Sequence, residues 1–164
     1  MPIYEFGDMW SVWEETDLFL ITTNASLGGR NGALAMGRGI ALQARNRLRG
    51  IDQLLGSAIG TSGRRYGLLI SPKWPKVKLG LFQVKFDYWD PAVPELIRLS
   101  TDLLMAWLKE HPGVRVDLNF PGIGYGKLPI AIVLPIISVL PRSVHIWQHQ
   151  GDVEDNEVEP KRAF

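Results

Sequence analysis

Segments typical of buried strands alternate with helical segments along this chain of 164 residues, and this alternation constrains its fold most. The run DLFLITT at 17–23 is continuously apolar or β-branched, which is typical of a strand buried on both faces of a sheet. A helical period covers 90–109, with Asp90 placed to cap the helix and Pro91 in its first turn. Strands interleaved with helices predict an α/β fold, a three-layer α/β/α sandwich around a mixed, mostly parallel sheet.

The same alternation predicts the secondary structure of the rest of the chain. Further strands are predicted at 3–6, 66–71, 79–86, 114–120 and 143–149, and further helices at 37–49 and 128–140. We expect one domain over residues 1–150. Residues 151–164 hold five acidic and two basic side chains, and we expect them to form a charged, mobile tail.

The composition excludes several classes of function. Outside the tail, 16 basic residues face 12 acidic ones, an excess that suits a small anionic ligand but not duplex nucleic acid as the main partner. The absence of cysteine excludes disulfides, thiolate chemistry and the usual zinc sites. Proline interrupts the longest apolar runs, and no basic and then apolar leader opens the chain. We therefore expect a cytoplasmic protein that does not bind a membrane.

Two glycine-rich segments each follow a predicted strand: 24–39 after the strand at 17–23, and FPGIGYGKLP at 120–129 after the strand at 114–120. Both should open at the same edge of a parallel sheet, where ligands bind. Glycines let backbone N–H groups approach a phosphate, and a helix N-terminus adds a positive dipole end. Neither standard nucleotide motif is complete, since Leu42 replaces a fingerprint glycine and Leu128 replaces the P-loop Ser or Thr. The alternative is that these glycines only make turns.

Four segments occur in an order that resembles the macro domains, modules that bind ADP-ribose. They are GDM near the start, a strand that continues into TTNAS, then AMGRGIALQAR, and finally NFPGIGYGKLP. The resemblance covers roughly residues 5–149 and is most specific in MGRGIALQ together with PGIGYG. The spacing is most similar to the branch with terminal ADP-ribose glycohydrolases and the antitoxins that remove ADP-ribose from DNA.

The resemblance implies a set of ligand-binding residues. Asp8 would accept a hydrogen bond from the adenine amino group, with Met9 supplying backbone contact, and Trp147 would lie against adenine. Asn24 would hold the distal ribose. The first phosphate-facing loop would consist of Gly37, Arg38, Gly39 and Ile40, and the second loop, over the diphosphate and distal ribose, of Gly122, Ile123, Gly124, Tyr125 and Gly126.

Each assignment has a purely structural alternative. Asp8 could be a solvated turn acid, and Asn24 could bond to the backbone of its own loop. Arg38 could be a solvated side chain, and Tyr125 could pack on the surface. Trp147 could simply fill the core.

Lys85 lies where the terminal ADP-ribose glycohydrolases carry a nucleophilic lysine, which makes it the candidate catalytic residue together with Asn24. Attack on the anomeric carbon of the distal ribose requires a neutral amine, hence a pKa lowered by burial or nearby cations. The family's partner is an aspartate just after the glycine loop, where this chain has Lys127. Asp87 and Asp90 are possible substitutes.

Two other interpretations of this position stay open. Lys85 could be a lysine at the end of a strand that reaches solvent. A water activated by the ligand's own phosphates, next to Asn24 and the first loop, could also perform hydrolysis without a dedicated base.

These residues predict an ADP-ribose-binding macro domain that hydrolyses ADP-ribose adducts on protein or nucleic acid. The alternative is a reader or sequestering module for ADP-ribose or a related NAD metabolite, and a third interpretation is an unrelated nucleotide-binding α/β domain. No cofactor is implied. No metal site is expected, since His145 and His149 on one strand are too far apart to chelate.

Overall fold

The computed structural model describes residues 1–28, 31–63 and 65–149, so the predicted tail lies outside the described residues. Within them, one six-stranded sheet has the order β1-β8-β7-β2-β6-β5. Its strands are β1 (Ile3–Phe6), β2 (Leu18–Thr23), β5 (Leu68–Ile70), β6 (Leu79–Gln83), β7 (Val116–Asn119) and β8 (Val144–Gln148). In a separate two-stranded sheet, β3 (Leu27–Gly28) pairs antiparallel with β4 (Ala33–Leu34).

The strand directions confirm the prediction of a mixed, mostly parallel sheet. Every pairing in the six-stranded sheet is parallel except that of β5 with β6. The central strand β2 is buried at every residue except the half-buried Thr22, as its continuous apolar run predicts. Parallel neighbours bring the carboxyl ends of β2, β6, β7 and β8 to one edge.

Helices cover both faces of the sheet and complete the predicted three layers. They are α1 (Gly39–Arg47), α2 (Ile51–Thr61), α3 (Pro94–Glu110) and α4 (Ile130–Ile137). One apolar core lies between the sheet and α3 with α4, and the other lies between the opposite face and α1 with α2. None of the helices in the described part of the chain is long and apolar enough to span a membrane.

The predicted start of α3 at Asp90 and Pro91 is wrong. Val93, the residue before the helix, is extended, and its N–H donates to the Val84 carbonyl (2.8 Å), while Ala92 N–H donates to the Gly126 carbonyl (3.0 Å). Pro94 instead occupies the first turn of the helix, where its missing N–H costs no bond. The segment before α3 therefore becomes part of the wall that supports the second glycine loop.

Candidate functional site

Both glycine-rich loops line a single cleft at the carboxyl edge of the sheet, where the strand order places them. Residues from β2, β7 and the segments after β6 and β8 complete its walls. All fourteen residues that the sequence assigns to the candidate site lie on its lining: Asp8, Met9, Asn24, Gly37, Arg38, Gly39, Ile40, Lys85, Gly122, Ile123, Gly124, Tyr125, Gly126 and Trp147.

The N-terminus of α1 opens into this cleft. Arg38 is its N-cap, yet no side chain caps the helix and no acidic residue lies in its first turn. The first i to i−4 bond runs from Leu42 N–H to the Arg38 carbonyl (3.1 Å), so the preceding N–H groups have no partner within the helix. An uncapped helix N-terminus that lines a cleft favours an anionic ligand.

The second loop contains a short 3-10 helix, Gly124–Gly126, that lies opposite the first loop. The ring of the half-buried Tyr125 packs over Gly39, since a Cβ built there would lie 3.4 Å from Tyr125 Cδ2. The two loops therefore touch across the cleft through Tyr125.

The interpretation of Arg38 as a solvated side chain is wrong. It is half-buried, and its guanidinium carbon lies 4.7 Å from the ring centroid of Tyr88, 5.0 Å from that of Trp89 and 6.0 Å from that of Tyr125. Cation–π contacts at these distances hold the positive charge of Arg38 on the lining of the cleft.

Lys85 lies in the segment just after β6, and its side chain turns into the cleft rather than toward solvent. It is only 8% exposed, and its Nζ donates to the Tyr88 carbonyl at 2.8 Å. The interpretation of Lys85 as a lysine that reaches solvent is therefore wrong. Its Nζ also lies 5.7 Å from the Tyr88 ring, which it shares with Arg38, so two basic side chains meet beside Tyr88.

Neither proposed substitute for the missing acid reaches the cleft. Asp87 and Asp90 are exposed and outside its lining, and the Asp87 carboxylate instead accepts from the Ser26 hydroxyl (3.3 Å). Lys127 is also exposed, with a left-handed φ of 64°. Among the residues that the structure describes, Asp8 is the one carboxylate on the lining.

Asp8, which the sequence assigns to adenine, is the N-cap of a short 3-10 helix, Met9–Val12. Its Oδ1 accepts from Trp10 N–H at 3.0 Å, while the carboxylate remains exposed at the rim of the cleft. Met9 is buried beside it. Asp8 is therefore a turn acid as well as a lining residue, and the two roles use different lone pairs.

Trp147 is held by the ion pair between the buried Asp117 and the half-buried Arg115. Its indole Nε1 donates to Asp117 Oδ1 (2.8 Å), and the fully buried Asp117 also accepts from Arg115 Nε (3.0 Å) and Nη2 (3.2 Å). The hydrogen bonds and the charge of Asp117 raise the pKa of Arg115. With its N–H engaged in the core, Trp147 can offer only its ring to the cleft.

Asn24 bonds to its own loop. Its Nδ2 donates to the Ala35 carbonyl (3.0 Å), and its Oδ1 accepts from Ser26 N–H (2.8 Å). The loop-backbone role is therefore present, and a ligand could use only the second amide hydrogen or the second oxygen lone pair.

Twelve described residues that sequence reasoning did not assign to the site also line the cleft, among them Asn119, Thr23, Tyr88 and Gln43. Asn119 ends β7, accepts from Thr22 N–H (2.9 Å) and donates to Thr22 Oγ1 (2.7 Å). Thr23 has a buried hydroxyl that makes no hydrogen bond to the described residues. The position of Asn119, directly before the second glycine loop, is the signal that could have identified it.

The fold is that of the macrodomains. The Mycobacterium tuberculosis DarG macrodomain superimposes with a TM-score of 0.67 at 21% identity, with 90% of this chain and 97% of that chain covered. For the Thermus aquaticus DarG macrodomain the values are 0.65, 20%, 92% and 98%. Thermosipho africanus DarTG, solved in complex with ADP-ribose, gives 0.71 at 16% identity and covers 98% of this chain but 46% of that one.

The sequence matches no protein-family model and no protein of curated function. At these identities the structural similarity establishes the fold.

Proposed function

We propose that this chain binds ADP-ribose in the cleft, with the diphosphate between the two glycine loops. The observation that carries this proposal is the uncapped N-terminus of α1 facing a second glycine loop across one cleft. The positive helix end and its N–H groups supply donors for phosphate oxygens. The solved complex of Thermosipho africanus DarTG with ADP-ribose supports the choice of ligand.

The charges along the cleft orient the ligand. Arg38 and Lys85 share the ring of Tyr88 at one end, which favours the diphosphate and distal ribose there. Asp8 is an acceptor at the rim, and an ionised carboxylate can accept from the adenine amino group but not from a carbonyl. We therefore place adenine at Asp8 and the distal ribose near Lys85.

Titration calorimetry with ADP-ribose, AMP and NAD tests this proposal. Asp8→Asn keeps an oxygen for Trp10 N–H but removes the charged acceptor, so affinity for ADP-ribose should fall about 10-fold, the scale of a charged hydrogen bond. The matched control is Asp52→Asn, because Asp52 also accepts from a neighbouring backbone N–H but lies on α2.

A folded wild-type protein that does not bind ADP-ribose would refute the proposal. Equal affinities for ADP-ribose and AMP would favour an unrelated nucleotide-binding domain. An unchanged affinity in Asp8→Asn would remove only the adenine assignment.

We further propose that the protein releases ADP-ribose from an acceptor on protein or nucleic acid, with Lys85 as nucleophile. The Lys85 amine would attack C1″ of the distal ribose while the bond from C1″ to the acceptor breaks. The acceptor leaves with the electron pair and takes the proton that the amine loses. Water then adds to C1″, and the amine departs as ADP-ribose is released. Burial of Lys85 in the cleft supports this role.

A specific observation favours the alternative, a reader that binds without turnover. No carboxylate of the described residues lies in the cleft beside Lys85, so the proton transfers have no dedicated acid there. The Lys85 amine is also bonded to the Tyr88 carbonyl and must leave it to attack.

Release of ADP-ribose from modified protein and nucleic-acid substrates distinguishes the two functions. Lys85→Ala should abolish release while ADP-ribose still binds, and the exposed Lys76, in the turn before β6, provides the control Lys76→Ala. Undiminished release by Lys85→Ala would refute the lysine mechanism and favour an activated water. Binding without release from any substrate class would support the reader.

A further inference from the structure

A single residue, Trp10, forms hydrogen bonds with two polar side chains at the rim of the cleft. Its backbone N–H donates to Asp8 Oδ1 (3.0 Å), and its indole Nε1 donates to Gln43 Oε1 (2.7 Å). Asp8 comes from the turn after β1 and Gln43 from α1, and both line the cleft. Trp10 thereby fixes an acceptor and an amide from distant parts of the chain relative to each other.

The orientation of the Gln43 amide follows from the chemistry of its partner. An indole N–H can only donate, so the amide must turn its oxygen toward Trp10 and keep both hydrogens of its NH₂ group on the other side. Those hydrogens donate to no described residue. Gln43 therefore presents a donor, whereas Asp8 presents an acceptor.

Trp10 itself is rigidly held. It is 8% exposed, and its ring lies 4.5 Å from that of Phe19 and 5.5 Å from that of Trp13. The Arg47 guanidinium lies 4.4 Å from its centroid. A ring packed in this way keeps its N–H direction, so the amide of Gln43 is set before any ligand arrives.

We propose that Gln43 is a second base-reading residue, which donates to a ring nitrogen of adenine while Asp8 accepts from the amino group. This inference rests on the proposed binding of ADP-ribose. The Watson–Crick edge of adenine offers an amino donor beside a ring-nitrogen acceptor, which matches one acceptor and one donor. Hypoxanthine reverses both positions, with a carbonyl acceptor beside an N–H donor. Its carbonyl would face the Asp8 acceptor and its ring N–H would face the Gln43 donor, so both contacts would be unfavourable.

The test compares the dissociation constants of ADP-ribose and of its hypoxanthine counterpart, inosine diphosphate ribose. Gln43→Glu replaces the donor with an acceptor of the same shape. The preference, defined as the dissociation constant of inosine diphosphate ribose divided by that of ADP-ribose, should therefore fall about 3- to 10-fold relative to wild type. Both ligands carry the same diphosphate, so the added negative charge weakens both alike and cancels in the ratio. Gln53→Glu, an exposed glutamine on α2, should leave the ratio unchanged.

A second variant tests the role of Trp10. Trp10→Phe keeps an aromatic ring on Phe19 but lacks the indole N–H, so the Gln43 amide can rotate and the ratio should again fall. The thermal unfolding temperature of this variant should be measured as well, to establish that the protein is folded at the temperature at which its base preference is determined.

The results separate this inference from the binding proposal. Wild-type protein that binds ADP-ribose and prefers it, with the preference unchanged in Gln43→Glu, would overturn the role of Gln43 and leave the function standing. Wild-type protein that binds neither ligand would overturn both.

Discussion

The two glycine loops of the cleft use the same residue for different physical reasons. At Gly39 in the first loop, an added Cβ would meet only the Tyr125 ring, at 3.4 Å across the cleft. In the second loop, a Cβ at Gly122 would lie 2.7 Å from Ile97 Cδ1, and one at Gly126 would lie 2.9 Å from the Ala92 Cβ. The first loop needs its glycine to keep the cleft open, and the second needs its glycines to pack on α3 and the segment before it.

This difference assigns different contributions to the two loops. The first offers the N–H groups of a helix N-terminus to the ligand. The second is a packed support that carries Tyr125 over the first loop. Substitutions in the second loop should therefore damage stability, and those in the first should damage binding.

The largest effect is expected from Gly122→Ala. The φ of +77° strains an alanine, and its Cβ would overlap Ile97, so the free energy of unfolding should fall by about 3 kcal/mol, the sum of overpacking and left-handed strain. Chemical denaturation measures this loss. Gly113→Ala has a similar φ of +82° with nothing within 4 Å, and should lose only about 1 kcal/mol. Equal losses in the two variants would show that the end of the Ile97 side chain moves aside for the added methyl group at no cost in stability.

A smaller effect, on ADP-ribose affinity more than on stability, is expected from Gly39→Ala. Its methyl group would enter the space between the first loop and Tyr125, where we place the diphosphate, so ADP-ribose affinity should fall about 10-fold. Stability should fall by about 1 kcal/mol because of the φ of +53°. Calorimetry and denaturation on the same sample measure both. Unchanged affinity would place the diphosphate elsewhere.

The smallest effect is expected from Arg38→Gln. Loss of the charge held by Tyr88 and its neighbouring rings should weaken ADP-ribose binding about 3-fold and reduce its dependence on salt. Arg49→Gln, an exposed arginine beyond the end of α1, is the control. Identical salt dependence in both variants would exclude a role for Arg38 in attracting the ligand.

The sequence predicted the cleft because strand direction alone brings both loops to one edge. It misplaced the start of α3 because Asp90 and Pro91 satisfy every local helix signal, while the competing bonds from Ala92 and Val93 come from distant segments. It also left residues 51–61 without an element, although they form α2. Local patterns cannot reveal hydrogen bonds such as those of Ala92 and Val93, whose acceptors lie in other segments.

The same limit applies to the side chains of the site. Sequence order could not show that Arg38 lies among aromatic rings from two separate segments, nor that Trp10 and Gln43 are bonded across 33 positions. The loop residues were predictable because their motif is continuous in sequence. Partners from separate elements required the fold.

Backbone amide NMR during titration with ADP-ribose can locate the ligand residue by residue and so tests whether ADP-ribose binds between the two glycine loops. We predict the largest shifts at the amides of 37–41 and 122–126 and at the indole N–H of Trp10. Shifts confined to another surface, such as the groove between β5 and Trp107 on α3, would contradict it, as would a spectrum that ADP-ribose leaves unchanged.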